Sequence, residues 1–461
     1  VFTKLLLIKK ERAWHLTNNI VNILGIILII ISLILFILAP HFMRFLVPGF
    51  DPEKIKSVID LTRIMLLSPI LLGLSSVVSA ALQSLKSFFI YALTPIMYNI
   101  GIIIGALLFV PLWGINGLAY GVVLGAVLHL AIQIPTLVHH GFKYQPILQW
   151  KDNNVLEIGR LLIPRTMGLA VGQLNFLVIT ILASTLTVGS LTIFNLANNL
   201  QYFPIGIIGF SFAVAAFPTL SKFVAERKQD ELINHLSKTI RQILFFIIPA
   251  TLVFLLLRAQ IVRIVLGSGQ FDWDATIATG NTLAFFALSL TAQCMIPLLA
   301  RGFYALHDTW VPFKIAFVSV LINIIFSLLL KDLLGVSGLA LAFSIAATFQ
   351  ATALWITLRK KIGTLRELDI LQTVFKISFA AIVMGIVTQL VKTKLGSSMD
   401  LTSFWRVATQ GFVAGALGLI TYIGICFVLK VEELFELIGS FKRKWLKLTN
   451  IPVEISEVDD V

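Results

Sequence analysis

The amino-acid sequence predicts an all-α polytopic membrane protein with about twelve visible transmembrane helices of an inferred fourteen, arranged as two parallel-repeat lobes around a central cavity. Three observations carry this prediction: the composition, the number of long apolar runs and an internal repeat. Of the 461 residues, 58% are hydrophobic and only 13% are charged, and the mean hydropathy is +0.94. Because soluble domains carry about 25% charged residues, this composition indicates a membrane protein.

Long apolar runs give the number of spans. A helix needs about 20 consecutive, mostly apolar residues to cross the bilayer. Each such run is predicted to be one span. Twelve runs meet the requirement, at residues 16–39, 60–84, 90–112, 117–139, 157–187, 190–221, 240–266, 277–300, 311–331, 337–358, 370–391 and 404–429.

The distribution of Lys and Arg orients these helices. With the N-terminus inside, most of the 36 basic residues fall in loops on the cytoplasmic side, as the positive-inside rule requires. Both termini are therefore predicted to be cytoplasmic, and the net charge of +13 is explained without a nucleic-acid partner. The tail after Lys430 either lies along the membrane surface, which its apolar spacing favours, or is a solvated end.

A repeat with an offset of 221 residues divides the chain. WGINGLAYG begins at residue 113 and LGVSGLALA at residue 334, so that Gly114 corresponds to Gly335. At the same offset Asp51 corresponds to Asp272. The offset covers six spans, an even number, and the two copies therefore have the same orientation in the membrane. Coincidence between Gly- and Leu-rich helices is the alternative, which a constant offset over separate blocks disfavours.

The same register predicts the domain organisation. Two long spans, 157–187 and 190–221, precede the second copy and have no counterpart before Val1. We therefore expect two further N-terminal helices. The predicted parts are an N-lobe lacking its first two helices, an inter-lobe cytoplasmic linker, a C-lobe with two additional C-terminal helices, and a cytoplasmic tail, at residues 1–139, 140–156, 157–429 and 430–461.

Motifs of catalysis and metal binding are absent from the sequence. It contains no HExxH, CxxC, P-loop or GxSxG pattern, and we predict neither an enzyme nor a cofactor nor a metal site. Cys294 and Cys426 lie far apart in apolar stretches and are expected to be small buried hydrophobes. All 23 Asp and Glu fall in loops, span ends or the tail, which leaves no carboxylate for a proton relay in these spans.

Four polar residues form a stripe on one predicted helix. In FNLANNLQYF, Asn195, Asn198, Asn199 and Tyr202 fall at i, i+3, i+4 and i+7, which places them on one face. One explanation is amide bonding between helices, at about 0.6 kcal/mol per hydrogen bond. The other is the wall of a hydrated cavity that binds substrate, and the number of polar groups favours it.

A second set of candidate substrate-binding residues precedes the stripe. Arg165 follows Pro164 inside an apolar run, and Gln173 and Asn175 place two amides near the middle of the same predicted helix. A long arginine can extend to the cytoplasmic headgroups from about two turns deep. It can equally face the central cavity and meet an anion. Both interpretations of Arg165 stay open.

Loop and gating residues are predicted at the ends of helices. A proline and a glycine follow the polar stripe, where a helix is able to bend. Two short loops that correspond in the repeat carry polar residues expected to fix the loops and the orientation of the chain. The candidates are Pro204, Gly206, Arg301, Asp308, Gln83 and Lys86.

These segments resemble the MurJ (MviN) family of lipid II flippases, within the multidrug/oligosaccharidyl-lipid/polysaccharide exporter superfamily. The resemblance runs along nearly the whole chain except the tail. Any one of the similar segments would be weak by itself, and together they are fairly specific. They are the two Gly-Leu-Ala blocks, FPTLSK (217–222), PIGIIGFSFAVAAFP (204–218), ARGFYALHDTWVP (300–312) and ALQSLKSFFIYALTPIMYN (81–99).

The resemblance implies a transporter of the bacterial cytoplasmic membrane with fourteen helices. It would move lipid II, the polyprenyl-pyrophosphate-linked peptidoglycan precursor, from the inner to the outer leaflet by alternating access, for cell-wall synthesis. The implied partners are this lipid-linked precursor, membrane lipids and other cell-wall synthesis proteins, with the chain itself a monomer. No cofactor is implied.

The sequence departs from the family at the expected anion site. Family members commonly carry an Asp-Arg pair where this chain has the neutral pair Asn198-Asn199. By the repeat, Arg165 matches an arginine that is typical of the first family helix. Three alternatives therefore stay open: a flippase for another polyprenyl-linked polysaccharide unit, a drug or cation exporter, which the lack of a mid-span carboxylate disfavours, and a non-transporting membrane scaffold.

Overall fold

A computed structural model of the chain describes residues 9–267, 269, 271–398 and 403–439, together with residues 2, 5 and 6. The side chains of residues 161, 163–165 and 167–171 lie outside this description. Where the backbone is described it forms helices and connecting loops, without a β-strand. The predicted all-α class is confirmed.

The helices of this part of the chain are numbered α1 to α19 in order. Two π-helical segments, Gly105–Phe109 and Ile205–Phe210, continue α4 and α9. The longest connection, residues 140–152, precedes α8. The helices are α1 Lys10–Leu46, α2 Pro52–Met65, α3 Leu67–Ser84, α4 Phe88–Ile104, α5 Val110–Trp113, α6 Asn116–Ala131, α7 Ile134–His139, α8 Asn153–Ser184, α9 Ser190–Pro204, α10 Ser211–Ala225, α11 Gln229–Leu256, α12 Arg258–Leu266, α13 Trp273–Ala287, α14 Leu290–Ala305, α15 Trp310–Leu334, α16 Val336–Ile362, α17 Glu367–Ser398, α18 Phe404–Val428 and α19 432–439.

Most of the predicted spans fall within one helical stretch, and those at 60–84, 117–139, 240–266 and 277–300 are each divided between two helices. Ten helical stretches among the described residues are long and apolar enough to cross a membrane, and α13 with α14, which meet at 47°, is an eleventh candidate. Because α8 is only partly described, the number of twelve in an intact fourteen stays a prediction. The span predicted at 240–266 is wrong as one helix, since Leu257, at φ −104° and ψ 19°, separates α11 from α12.

The 221-residue repeat is present in the backbone. Gly114 has φ 57° and ψ −144°, and Gly335 has φ 57° and ψ −136°. Asp51 and Asp272 each cap the start of a helix, where the carboxylate accepts a hydrogen bond from the N–H three residues later. The structure therefore confirms both equivalences that the sequence predicted.

Gly335→Ala is expected to lower the free energy of unfolding by about 1–3 kcal/mol, because this backbone conformation is strained for any residue with a Cβ. Open space surrounds an added Cβ at Gly335, so the loss would come from the backbone alone. The melting temperature of the detergent-solubilised protein measures it. Gly424→Ala, also in open space but within α18, is the control and should not destabilise. Equal losses in both variants would contradict the strain.

Contacts divide the chain into two compact units, Val1–Thr185 and Leu186–Val461. In the first unit, glycines bring α4 and α6 into backbone contact. A Cβ at Gly101 or at Gly105 would overlap the backbone of α6 at a facing glycine. Membrane helices use such small residues for close approach. The lobe and linker limits predicted from the sequence remain a proposal.

An extended segment, residues 143–149, lies along α1 of the first unit; we call it the strap. Asn18, Asn19 and Asn22 of α1 form hydrogen bonds with its backbone at distances of 2.7 to 2.9 Å. The asparagine amides occupy the place of a neighbouring β-strand, because they bond every second residue. The bonded groups are the carbonyls of Lys143, Gln145, Ile147 and Gln149 and the N–H groups of Gln145 and Gln149.

The second unit contains a large apolar core, built from the π-helical segment after α9, from α10 and α11, and from α13 to α19. Leu236, Ile240 and Leu298 are among its fully buried side chains. Cys294 and Cys426 are buried in the same core and unpaired. The prediction that both cysteines are small buried hydrophobes is confirmed.

The start of the tail packs on α11. Arg241 Nη1 lies 2.9 Å from Glu432 Oε2 and 3.0 Å from Glu433 Oε1. Burial raises the pKa of the Glu433 carboxyl, although the Arg241 guanidinium faces it. Helix α19 is thus part of the folded second unit. Its ion pairs exclude a wholly solvated end for residues 432–439, and the position of the tail along the membrane surface stays a prediction. Residues 440–461 lie outside the described chain.

Candidate functional site

The four residues of the predicted polar stripe lie on α9 and differ in exposure. Asn195 and Asn198 are half-buried, whereas Asn199 and Tyr202 are exposed, with 50% of Tyr202 accessible. The helical spacing places them along one face. The stripe therefore runs from the packed side of α9 to its exposed side.

A π-helical segment stands where the sequence predicted a bend. Pro204 ends α9, and Ile205–Phe210 leads into α10 within one helical stretch. Proline lacks the N–H of an i→i−4 bond, and a π-helical turn accommodates that loss. Gly206 is exposed, with open space around an added Cβ. The gating role of Pro204 and Gly206 stays a prediction.

A buried chain of hydrogen bonds leads inward from the stripe. Gln201 Nε2 donates to Asn198 Oδ1 at 2.8 Å, and Gln293 Nε2 donates to Gln201 Oε1 at 2.9 Å. Gln293 Nε2 also donates to Ser289 Oγ at 2.9 Å, and the hydroxyls of Ser289 and Ser344 lie 2.8 Å apart. Gln201, Gln293, Ser289 and Ser344 are all buried. The chain joins α9, α14 and α16 through side chains of fixed orientation.

The serines at the inner end of these hydrogen bonds contact the backbone carbonyls at the bend between α13 and α14. Ser344 Oγ donates to the carbonyl of Phe285 at 2.7 Å, so the single O–H of Ser289, 3.1 Å from the carbonyl of Phe286, donates either to that carbonyl or to Ser344 Oγ. A broken helix at membrane depth needs such partners, because no water is present to bond the freed carbonyls. The same serines thus stabilise the bend and position the amides that lead to Asn198.

Two of these residues carried a signal in the sequence. Gln201 and Gln293 are lone amides in apolar runs, which is costly in a membrane unless they are bonded. Gln201 lies off the i, i+3, i+4, i+7 pattern of the stripe and was missed for that reason. The serines carried no signal, since serine is common between packed membrane helices.

The other predicted substrate-binding residues lie on α8, in the first unit. Gln173 is exposed and Asn175 is half-buried. Arg165 is also on α8, and its side chain lies outside the described part of the structure. The polar stripe, by contrast, belongs to the second unit. The role of these residues in binding substrate stays a prediction.

A second hydrogen-bonded cluster, in the first unit, was missed by the sequence survey. Ser75 Oγ lies 2.7 Å from His129 Nδ1, and Ser79 Oγ donates to Gln133 Oε1 at 2.8 Å. Gln133 in turn donates to Ser75 Oγ. The survey of ionisable groups considered acids and overlooked His129. This cluster fixes α3 against the end of α6.

The predicted loop residues have different environments. Asp308 Oδ2 lies 2.6 Å from Lys361 Nζ at the end of α16, and Asp308 Oδ1 accepts a hydrogen bond from the N–H of Val311. Arg301 Nη1 donates to the carbonyl of Pro297 in its own helix. The other two predicted loop residues, Gln83 and Lys86, are exposed at the end of α3.

Asp308→Asn is expected to lower the melting temperature at pH 7 and to have less effect in acid. The hydrogen bond from Lys361 holds the pKa of the Asp308 carboxyl below its ordinary value of 3.8. A carboxylate with a depressed folded pKa stabilises the fold above the unfolded pKa, and this contribution is lost as the pH falls through the folded pKa. The difference from wild type should therefore shrink below about pH 4. Asp274→Asn, at an exposed position of α13, is the control, and a constant difference at every pH would contradict the ion pair.

The chain is similar in sequence to known proteins of one family. A family model described as "Lipid II flippase MurJ" matches residues 1–409. The chain is 27% identical over 384 residues to the probable lipid II flippase MurJ of Rhizobium tropici, covering 81% of this chain and 72% of that protein. It is 27% identical over 430 residues to the probable lipid II flippase MurJ of Thermotoga maritima, covering 93% of this chain and 84% of that protein.

Solved structures share the fold. A structure of lipid II flippase MurJ in an inward closed conformation superposes with a TM-score of 0.76 at 23% identity, over 91% of this chain and 84% of that chain. An inward-facing multidrug resistance MATE family transporter of the MOP superfamily superposes with a TM-score of 0.65 at 15% identity, over 79% of this chain and 85% of that chain. The helical arrangement is thus common to both kinds of transporter.

Proposed function

The chain belongs to the lipid II flippase MurJ family, and we propose that it moves lipid II from the inner to the outer leaflet of the bacterial cytoplasmic membrane by alternating access. The match of the family model to residues 1–409 supports this function. Flipping a lipid forms and breaks no covalent bond, so the protein is proposed to be a transporter and not an enzyme. The product would serve cell-wall synthesis.

The physical problem is the passage of a polar headgroup through hydrocarbon. A pyrophosphate and a disaccharide-pentapeptide cannot cross about 30 Å of hydrocarbon without polar partners. The amides and hydroxyls of the headgroup bond well to neutral side chains that both donate and accept. A flippase therefore needs such side chains along its path, with the polyprenyl tail left in the lipid.

The observation that carries the proposal is the polar stripe on α9 and its buried support. Asn199 and Tyr202 are exposed on a helix that is otherwise apolar. Asn198 beside them is held by Gln201, which is itself held by Gln293. Side chains fixed in advance lose less entropy when they bind a ligand. We assign the stripe to the sugar and peptide parts of the headgroup, which are neutral or weakly charged.

The pyrophosphate needs a cation, and α9 has none in the stripe. We assign this role to Arg165 on α8, with Gln173 and Asn175 on the same helix as further polar contacts. Arginine binds phosphate oxygens through two parallel hydrogen bonds. An arginine at membrane depth is costly and is best accounted for by such a use.

Orientation and assembly complete the proposal. We place both termini in the cytoplasm, because most of the basic loops then lie inside. Residues 140–156 would link two lobes on that side. The chain would act as a monomer, with other cell-wall synthesis proteins as further partners, and the loop residues Gln83, Lys86, Arg301 and Asp308 would take part in gating.

Rescue of a bacterium depleted of its own lipid II flippase tests the proposal. The chain should restore growth, and the variant Asn195→Leu/Asn199→Leu/Tyr202→Phe should not, because the headgroup would lose its neutral partners. Phe203→Leu, also exposed on α9, is the control and should rescue. Immunoblots of the membrane fraction must give equal amounts of each protein. Full rescue by the stripe variant would disprove the role of the stripe.

A flippase for another polyprenyl-linked polysaccharide unit is the second candidate. The neutral pair Asn198-Asn199, where the family commonly has Asp-Arg, favours it, since a changed site suits a changed headgroup. This candidate predicts that the wild-type chain fails to rescue lipid II flipping but moves a different polyprenyl-linked glycan in vesicles. A scaffold without transport activity would do neither, and its function would survive loss of the stripe.

A further inference from the structure

A cavity of about 360 Å³ in the second unit lies away from the polar stripe, among α11, α12, α13 and α17. Two basic side chains line it, Arg258 and Lys392. Among the described residues that form its wall there is no Asp or Glu, and neither cation takes part in a salt bridge with another described residue. The amide side chains of the wall are Gln260, Asn281 and Gln389.

One polar atom in this wall is buried without a partner, and its identity is fixed by its neighbours. Gln410 Nε2 donates to the carbonyl of Lys392 at 2.8 Å, so Gln410 must present its oxygen to Gln260. Gln260 Nε2 donates to that oxygen at 2.9 Å. Gln260 Oε1 is therefore an acceptor, and it finds no donor among the described residues. The residue is 9% exposed, and this oxygen is itself sealed from water, so it is not among the groups that the cavity offers to a ligand.

Lys392 is held in place at the same wall. Its Nζ donates to the carbonyl of Leu256, the last residue of α11, at 2.8 Å. One of its three N–H donors is thus used, and two remain for a ligand. Arg258, the first residue of α12, is exposed and offers the five donors of its guanidinium.

A ligand of this cavity must bring negative charge to the two cations. A phosphate group meets this need, because its tetrahedral oxygens can be approached by a guanidinium and an ammonium from different sides. The volume is within the range of small-molecule sites. We propose that the cavity binds a phosphate group.

Two sources supply this chemistry: a phospholipid headgroup or a free phosphate compound. Beside the cavity, Ile386 and Leu390 of α17 are 54% and 65% exposed, which gives acyl chains an apolar face. In the proposed orientation, the ends of α11 and α17 at this cavity lie on the extracytoplasmic side. The site is independent of the proposed flipping activity and would persist in a protein that transports another cargo.

Titration of the full chain in detergent tests the site. We expect glycerol 1-phosphate to raise the melting temperature of the wild-type protein, and Arg258→Gln and Lys392→Gln each to weaken its affinity by roughly tenfold or more, since hydrogen bonds to charged groups are lost. Lys394→Gln, on the same helix but not in the wall, is the control. Lys392 also bonds the end of α11, so Lys392→Gln changes the packing as well as the charge. Arg258 is exposed, and Arg258→Gln therefore tests the charge without disturbing the fold.

The source of the phosphate is tested in a lipid bilayer. In nanodiscs, the wild-type protein should enrich phosphatidylglycerol over phosphatidylcholine around itself if a lipid is the source. Loss of this enrichment in Arg258→Gln and Lys392→Gln would assign it to the cavity. Binding of soluble phosphates without that enrichment would identify a free one. Equal binding by the wild type and both charge variants, or no binding of phosphate in either setting, would overturn the proposal.

Discussion

Gln293→Leu is expected to lower the free energy of unfolding by about 2–3 kcal/mol and to impair transport. Gln293 donates to both Gln201 Oε1 and Ser289 Oγ, and leucine would leave both acceptors buried without this donor. Bonds between membrane helices average only about 0.6 kcal/mol, but a buried acceptor left unpaired costs about 1–3 kcal/mol. Denaturant unfolding in mixed micelles measures the loss. Transport should fall because Gln201 would no longer be fixed against Asn198.

A double variant separates the lost bonds from lost packing. Gln201→Leu/Gln293→Leu removes the donor and the acceptor together, so it should cost less than the sum of the two single variants. Gln372→Leu, an exposed amide on α17, is the control and should change stability by no more than about 0.5 kcal/mol. Additive losses in the double variant would show that the two amides do not interact.

Gly121→Leu is expected to abolish the native packing of the first unit. A Cβ at Gly121 would lie 2.5 Å from the Cα of Gly105, so leucine would force α4 and α6 apart. Overpacking in a core costs about 1–3 kcal/mol and occasionally more, and a clash between two backbones belongs to the upper end. The yield of monodisperse protein in size-exclusion chromatography and its melting temperature measure the effect.

The matched change lies on α8 of the same unit. Gly172 is exposed and has open space around an added Cβ, so Gly172→Leu should be tolerated. The milder Gly121→Ala should already lower the melting temperature. If Gly121→Ala melts like the wild type, the two helices are not in backbone contact.

The fold class and the repeat could be predicted from sequence because the bilayer allows few solutions. A run of about 20 apolar residues has to become a helix, since only a helix satisfies its own backbone in hydrocarbon. The helix start at Asp51 and the glycine turn at Gly114 were predictable for another reason. Each occurs again 221 residues later, at Asp272 and Gly335, with the same local geometry.

The buried part of the candidate site could not be predicted from periodicity. A hydrophobic pattern shows which residues share a face of one helix, but not which other helix that face meets. Gln201 and Gln293 belong to helices that are far apart in the sequence, and their bond appears only once α9 and α14 are packed. The same limit applies to Gln260 and Gln410, which meet across α12 and α18.

The break at Leu257 was missed for a local reason. The apolar run from 240 to 266 has no proline or glycine where the helix ends, and hydropathy alone cannot show a break between two helices. The strap was missed because asparagines near the start of a span look like ordinary polar residues at a membrane boundary. Their partners lie more than a hundred residues away.

The strap makes part of the chain behave as a strand without any sheet. The carbonyls of its odd-numbered residues and the N–H groups of Gln145 and Gln149 bond to α1, whereas the N–H of Ile147 bonds to the carbonyl of Gln145 within the strap. Pro146 stands between them, at a position where no N–H is needed. A protease must draw an extended substrate into its own cleft through the same backbone groups. The bond after Lys143 is therefore shielded, whereas the bond after Lys151 lies beyond the strap. A chain cut after Lys151 would therefore keep the strap on α1, because both lie in the N-terminal fragment.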